Sequence, residues 1–243
     1  MNRKWGWVKS LQKFGIPVYR TVMDAKRWPM VKSLICSPVQ DQGDEGSCVQ
    51  HACTSAMESE EINNHNSCTM LSRSFPYFNY RKSIGQIDAD PGTDPVVEMQ
   101  QLSQIGTCRE GVWPYTKANF AKTPTPAAYV DALNYRIKEY FALASLNDML
   151  GCMADGWGFI CGISVYQSFE DATSGIIPMP KTSEAFLGGH MIYVGGGYDR
   201  HKKMFKFLNS WGEGWGQDGF GWIPFDYLSD RNLASDFFTI RKV

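Results

Sequence analysis

The 243-residue chain lacks a charge imbalance, with 24 lysines and arginines against 25 aspartates and glutamates and a net charge of -1. No basic stripe develops, which excludes nucleic acid as an expected partner. The densest basic stretch, Arg200 to Lys203, reads as a solvated turn. Long hydrophobic runs are also missing. Nothing approaches the ~18 apolar residues of a membrane span. The polar N-terminus never develops the ~7–15-residue apolar core of a signal peptide. The expectation is a cytoplasmic protein with no membrane contact. Paired cysteines are scarce as well. Seven is an odd number, and the spacings give neither C-x-x-C nor a Cys/His zinc pattern. Reduced thiols are therefore expected, mostly as small buried hydrophobes, with no metal and no cofactor.

What is present is the composition of an ordinary globular protein, 43% apolar and 20% charged, in one large domain or two intimate lobes. Residues 1–34 carry Trp5, Trp7 and Trp28 without a clear period and read as an extended lead-in wrapped on the body. Residues 37–46 are turn-rich loop. A helix should follow at once: Ser47 and Gln50 have capping-box spacing, and Val49, Ala52, Cys53 and Ala56 share a face out to about Ile62. A second helix is punctuated by Asp94 as cap, Pro95 in the first turn, Val96, Met99, Leu102 and Ile105 on one face, and Gly106 as stop. Residues 116–128, with Pro124 and Pro126, look like a crossing between halves.

After about residue 157 the pattern changes to strands: Phe159 to Val165, His190 to Tyr198, Met204 to Leu208, Phe220 to Ile223 and Phe237 to Arg241. The many glycines of this half suit the bends and bulges of a small closed sheet. The reading is an α+β chain of two lobes, helical at 35–120 and β at 121–243 behind the lead-in at 1–34, with a cleft between them.

Cys48 falls in the first turn of the first helix, where backbone N–H groups and the macrodipole favour a thiolate. On a helical wheel it borders the apolar face, which suits a nucleophile at a cleft edge or a small residue packed under the turn. His190 begins one expected strand and Asn209 ends the next, with Tyr198 to Lys203 as the turn. A hairpin centred between Asp199 and Arg200 sets His190 opposite Asn209, with Cβ atoms about 4.5–5.5 Å apart. A bulge at Gly195, Gly196 or Gly197 would slip that register. An Asn oxygen on one imidazole nitrogen turns the other toward a nucleophile. His51 reads as a solvated helix residue, His65 as loop and His201 as turn. Asp44 and Glu45 should rim the cleft with negative charge.

These residues bring a family into view. Gln42-Gly43-Asp44-Glu45-Gly46-Ser47-Cys48, then Gly188-Gly189-His190, then Asn209-Ser210-Trp211-Gly212 resemble the three-part signature of the papain family. In order with them, Leu71 to Phe75, Gly111 to Tyr115, Val165 to Phe169 and Gly214 to Phe220 resemble a microbial and viral branch without the secreted enzymes' disulfides. The resemblance covers roughly residues 36–230. It implies a papain-like two-lobed fold, a helical lobe followed by a small antiparallel β-barrel lobe with the site in the cleft. It implies peptide or protein substrates and an acyl-thioester mechanism with Cys48 as nucleophile, His190 as acid/base and Asn209 orienting it. Gln42 would donate to the oxyanion hole beside the Cys48 backbone N–H. Trp211 would shield the His190–Asn209 pair, Gly92 and Thr93 would pair with substrate backbone, and Pro95 and Met191 would wall the main specificity pocket. Three features depart from the pattern: Glu45 stands where many relatives have a cysteine, Val49 follows the nucleophile where the family often has an aromatic or small residue, and residues 1–34 do not resemble a long helical inhibitory proregion. An amidase or acyltransferase using the same triad, or a silent peptide-binding module, are the alternatives.

Overall fold

The computed structural model describes residues 4–11 and 15–242, so the lead-in expectation for 1–3 and 12–14 falls outside the described residues. The rest of the lead-in is largely extended. It is interrupted by a 3-10 turn at Ala25–Arg27, capped by Asp24, and runs into β1 (Val31–Ser33).

Helix α1 (Cys48–His65) starts where the turn-rich loop ends, but not through a capping box. Ser47 is the N-cap residue without a side-chain cap bond. Its hydroxyl pairs with that of Tyr115 at 2.7 Å, and Gln50 reaches away to Glu98 and Thr93. The helix runs three residues past the expected Ile62, to a left-handed Asn66. Every residue from Cys48 to Ser59 is buried, because α1 is the central post of the molecule. It packs on helices α2 (Ser74–Ser83) and α3 (Pro95–Gln104) and on the sheet described below. Its polar side chains are satisfied in place: Thr54 and Ser59 return hydroxyls to the carbonyls four residues back, and Glu58 forms a two-pronged ion pair with Arg73, both contacts 2.7 Å. Helix α3 follows its sequence signals. Asp94 accepts from Val96 N–H at 2.8 Å, Pro95 opens the first turn, Val96, Met99 and Leu102 are buried, and Gly106 at φ 73° ends it.

The remaining elements are α4 (Pro126–Ala132), β2 (Ile137–Ala142), α5 (Leu146–Ala154), β3 (Phe159–Tyr166), α6 (Gln167–Glu170), β4 (Phe186–Asp199), β5 (Met204–Leu208), β6 (Phe220–Pro224), α7 (Phe225–Ser229) and β7 (Ala234–Lys242). The strands form one antiparallel sheet in the order β2-β7-β3-β4-β5-β6, with β1 added to β4. The expected barrel is thus an open sheet: among the named strands of the described residues β2 pairs with β7 alone and β6 with β5 alone, their outer edges meeting single bridges from Val18 and Ile176. One core lies on the far face of the sheet around Phe159, Ile192, Phe205, Phe207 and Trp211. A second joins α1 and α3 to the near face through Val49, Cys53, Met57, Met99, Met191 and Phe238. The α+β architecture therefore holds its two halves together by α1 lying against β4 and β7.

The β4–β5 hairpin differs from expectation in register. Asp199 pairs with Met204 and Gly197 with Lys206, so the turn is Arg200 to Lys203. An irregularity between Tyr193 and Gly197 then sets Tyr193 opposite Leu208. His190 and Asn209 are therefore not directly opposed, although their side chains meet.

Candidate active site

Cys48 stands at the first position of α1, and its Sγ accepts the backbone N–H of Met191 at 3.4 Å. Met191 follows His190 in β4, so this contact sets the thiol of the helical lobe beside the imidazole of the sheet lobe. His190 Nε2 is 2.8 Å from Asn209 Oδ1. That oxygen also accepts from Ser210 N–H at 2.9 Å, which fixes the amide orientation. With Nε2 committed to Asn209, Nδ1 is the ring's second nitrogen. The Trp211 ring lies 5.0 Å from the His190 ring at a 30° tilt, and His190 and Asn209 are both buried.

Gln42 is held from two sides. Its backbone N–H reaches Ser210 C=O at 2.9 Å, and its Oε1 accepts from Ser210 Oγ at 2.6 Å. Its Nε2 is thereby aimed as a donor, here to Glu45 C=O at 2.8 Å and Lys4 C=O at 3.3 Å. Ser210 is a positioning residue that the sequence reading missed; it lay inside the Asn209-Ser210-Trp211 signature but carried no role there.

The largest surprise is what covers this constellation. The lead-in lies in the cleft, so that Cys48 is 0% exposed rather than at a cleft edge. Gly6 directs its backbone N–H to Cys48 Sγ. Trp7 N–H donates to Gly189 C=O at 3.1 Å, Thr93 N–H to Gly6 C=O at 2.7 Å, and Val8 N–H to Thr93 C=O at 3.0 Å. Thr93 thus pairs with an extended backbone, and a Cβ on Gly92 would stand 2.6 Å from Gly6 O. Trp5 packs edge-on against both His190 and Trp211. Pro95 and Met191 are buried beside this strip, Met191 in the core that Trp7 packs against.

Burial under the lead-in pushes the Cys48 thiol up to about 11, against the N–H groups of Met191, Gly6, Val49 and Cys48 itself, which lower it. The covered thiol is protonated at neutral pH. Among the described residues the seven cysteines are all unbridged, and no cluster of three or more His, Cys, Asp or Glu is placed to hold a metal.

His51 is a correction. It is buried, with Nδ1 3.0 Å from Ser47 O and its ring edge-on to Tyr115. Burial holds it down to about 3, so it stays neutral as a packed core residue. The expected acidic rim is also modified. Asp44 is exposed and paired with Lys117 at 2.9 Å, while burial raises Glu45 toward its neutral form. Both line a 340 Å³ cavity with Asp88 and Asp90, and Lys4 reaches Asp90 there at 2.9 Å.

A helix-borne thiol, an imidazole tied to an asparagine and a glutamine amide across a two-lobed cleft define a class of thiol hydrolase. The chain belongs to the papain family of cysteine proteases, whose family model matches residues 22–235. It is 33% identical over 216 residues to an uncharacterised peptidase C1-like protein of Acanthamoeba polyphaga mimivirus, covering 84% of this chain and 69% of that one. Mouse cathepsin J is 25% identical over 82% of this chain, which spans 60% of that protein's length. Among solved structures, xylellain, a cysteine protease from Xylella fastidiosa, superposes with a TM-score of 0.92 at 31% identity, over 100% of this chain and 97% of that one. The cysteine protease CMS1MS2 of Carica candamarcensis shares the fold at 20% identity and a TM-score of 0.63. No helix among the described residues is long and apolar enough to cross a membrane.

Proposed function

We propose that this papain-family protease is an endopeptidase acting through a Cys48 thioester, once the lead-in has left the cleft. The observation that supports it most is the pair of contacts that converge on one point: Met191 N–H on Cys48 Sγ, and Asn209 Oδ1 on His190 Nε2. His190 Nδ1 takes the thiol proton, and the thiolate attacks a peptide carbonyl. The developing oxyanion is met by Gln42 Nε2 and the Cys48 backbone N–H, donors worth roughly 3–4 kcal/mol each in well-studied hydrolases. His190 then protonates the leaving amine. It next takes a proton from the water that opens the thioester.

A peptide would take the backbone positions that the lead-in now fills, against Thr93 on one wall and Gly189 on the other. The experiment is cleavage-site profiling of a peptide library by the 243-residue chain with the lead-in displaced by Gly6→Val. Internal cleavage that disappears on adding Cys48→Ala supports the reading. Transfer of acyl groups to added amines with no peptide hydrolysis would replace it with an acyltransferase.

A further inference from the structure

His51 stands one turn past the nucleophile on α1, buried, and no step of the proposed reaction uses it. Its ring carries a fixed polarity. Nδ1 lies 3.0 Å from Ser47 C=O, which can only accept, so Nδ1 bears the proton. Burial keeps the ring neutral, which leaves Nε2 as a bare acceptor. The residue borders a small cavity of about 10 Å³, together with Gln40, Ser55 and Asn209.

Asn209 reaches that cavity from the end of β5 and is 2% exposed. Its Oδ1 is taken by His190 Nε2 and Ser210 N–H. Its Nδ2 is buried and has no protein partner among the described residues. A buried N–H left in that condition is destabilising. The cavity therefore sets a donor, Asn209 Nδ2, and an acceptor, His51 Nε2, around a space of one water's size, since a buried water needs about 10–15 Å³ and two to four polar partners. A water there accepts from Nδ2, donates to Nε2, and finds Ser55 Oγ and Gln40 in the lining for its remaining bonds.

On the endopeptidase reading, we propose that this cavity binds one ordered water bridging Asn209 Nδ2 to His51 Nε2, and that His51 is thereby a positioning residue for the His190–Asn209 pair. The bridge holds the Nδ2 edge of the amide as Ser210 N–H holds the Oδ1 edge, so the plane stays turned toward His190 Nε2. It also ties the residue that orients the base to the helix that carries the thiol.

Two variants separate the acceptor from the bulk of the ring. His51→Phe keeps the shape and removes the acceptor, while Ser47 C=O keeps the backbone N–H of residue 51 at 3.1 Å. His51→Gln places an acceptor near where Nε2 stood. The first test needs no turnover and uses the 243-residue chain as it stands. A high-resolution crystal structure should show one water within hydrogen-bonding distance of both Asn209 Nδ2 and His51 Nε2, and a dry cavity overturns the proposal. Solvent exchange of the His190 Nε2 proton, followed by NMR, should accelerate about tenfold in His51→Phe, the equivalent of one lost hydrogen bond, and stay within about threefold in His51→Gln. The backbone amides of β4 should exchange as in wild type. Equal acceleration in both variants, none in either, or acceleration shared by the β4 amides overturns it.

The second test adds Gly6→Val and measures peptide hydrolysis. His51→Phe should lower kcat about tenfold with KM unchanged, and His51→Gln should stay within about threefold. In an Asn209→Ala background His51→Phe should cost nothing further, because it acts only through that amide. A full tenfold loss in that background overturns the positioning role. Absence of hydrolysis in the Gly6→Val chain counts against the endopeptidase reading alone, since the water and the exchange rates are read without it.

Discussion

Replacing Gly6 by valine should convert a silent thiol into a reactive one. A Cβ at Gly6 would stand 2.0 Å from the Gly46 carbonyl oxygen and 2.3 Å from its carbon. Gly46 has no room to retreat, since its N–H is bonded to the Asp90 carboxylate at 3.0 Å and α1 begins two residues later. The lead-in must therefore leave. Its departure removes the burial that raises the Cys48 pKa, which is the larger effect, and one N–H bond that lowers it, which is the smaller. At a pKa of about 11, roughly one Cys48 thiol in ten thousand is ionised at pH 7. An ordinary cysteine near 8.5 is about 3% ionised. The thiolate is the species that reacts with iodoacetamide, so Gly6→Val should accelerate Cys48 labelling by at least about 300-fold. Exposed Cys68 in the same sample is the internal standard, and its rate should not change. Below pH 11, labelling of wild-type Cys48 should rise about tenfold per pH unit, whereas the variant should lose that slope above about pH 8.5. Wild-type-like labelling of Cys48 in Gly6→Val would refute the reasoning, because the cover would then not be what keeps the thiol protonated.

With the lead-in displaced, Asn209→Ala should lower kcat/KM by roughly 10- to 1000-fold, since the His190 ring loses its Nε2 anchor; an unchanged value would remove that role. Glu98 is fully buried beside Gln50, and burial raises it from the ordinary 4.5 to about 7. The folded state then keeps a proton that the unfolded state releases, so stability is highest below about pH 4.5 for this group and falls as pH rises toward 7, by about 3 kcal/mol. Glu98→Gln should remove that fall in urea titrations between pH 5 and 8, and a variant with the wild-type slope would contradict it. Arg73→Met should cost about 3–5 kcal/mol in the same assay, because it strands the Glu58 carboxylate in the core; a loss under 1 kcal/mol would show that water reaches the pair.

How much was legible depended on how local each signal was. The punctuation of α3 lies within a dozen residues, and β5 was read at its full length, Met204 to Leu208. Helix α1 was found from its apolar spacing, but its capping residues were misread because Ser47 and Gln50 are used by partners far along the chain, Tyr115 and Glu98. The same central burial undid the wheel reading of His51, since a helix surrounded on every side has no solvent face, whereas Cys48 is covered by the lead-in. Helices α2 and α5 were missed. Buried Arg81 in α2 and exposed Asn147 in α5 blur an apolar face that tertiary packing completes. The His190–Asn209 contact was anticipated through a hairpin in the wrong register. It survives because the irregularity between Tyr193 and Gly197 brings Asn209 toward His190 as the strands approach the cleft.

The lead-in shows most clearly what a single chain hides. Its partners are Thr93, Gly189 and Asp236, all distant in sequence, and no period within residues 4–10 betrays them. A signal was nevertheless present, in glycine rather than in tryptophan. The glycines of the sheet half were expected as bends of a closed sheet, yet the sheet is open, and several serve another purpose. A Cβ at Gly188 would enter the Trp5 ring at 2.3 Å, and one at Gly162 or Gly189 would enter that of Trp7. On β3 and β4, Gly162 pairs with Met191, Gly189 with Ser164 and Gly188 with Val165, so the missing side chains leave room for both rings beside His190. A strip cleared along a strand beside a nucleophile admits an extended backbone with two bulky side chains. On the proposed endopeptidase reading, lead-in and substrate take this same space in turn, and occupancy by one excludes the other.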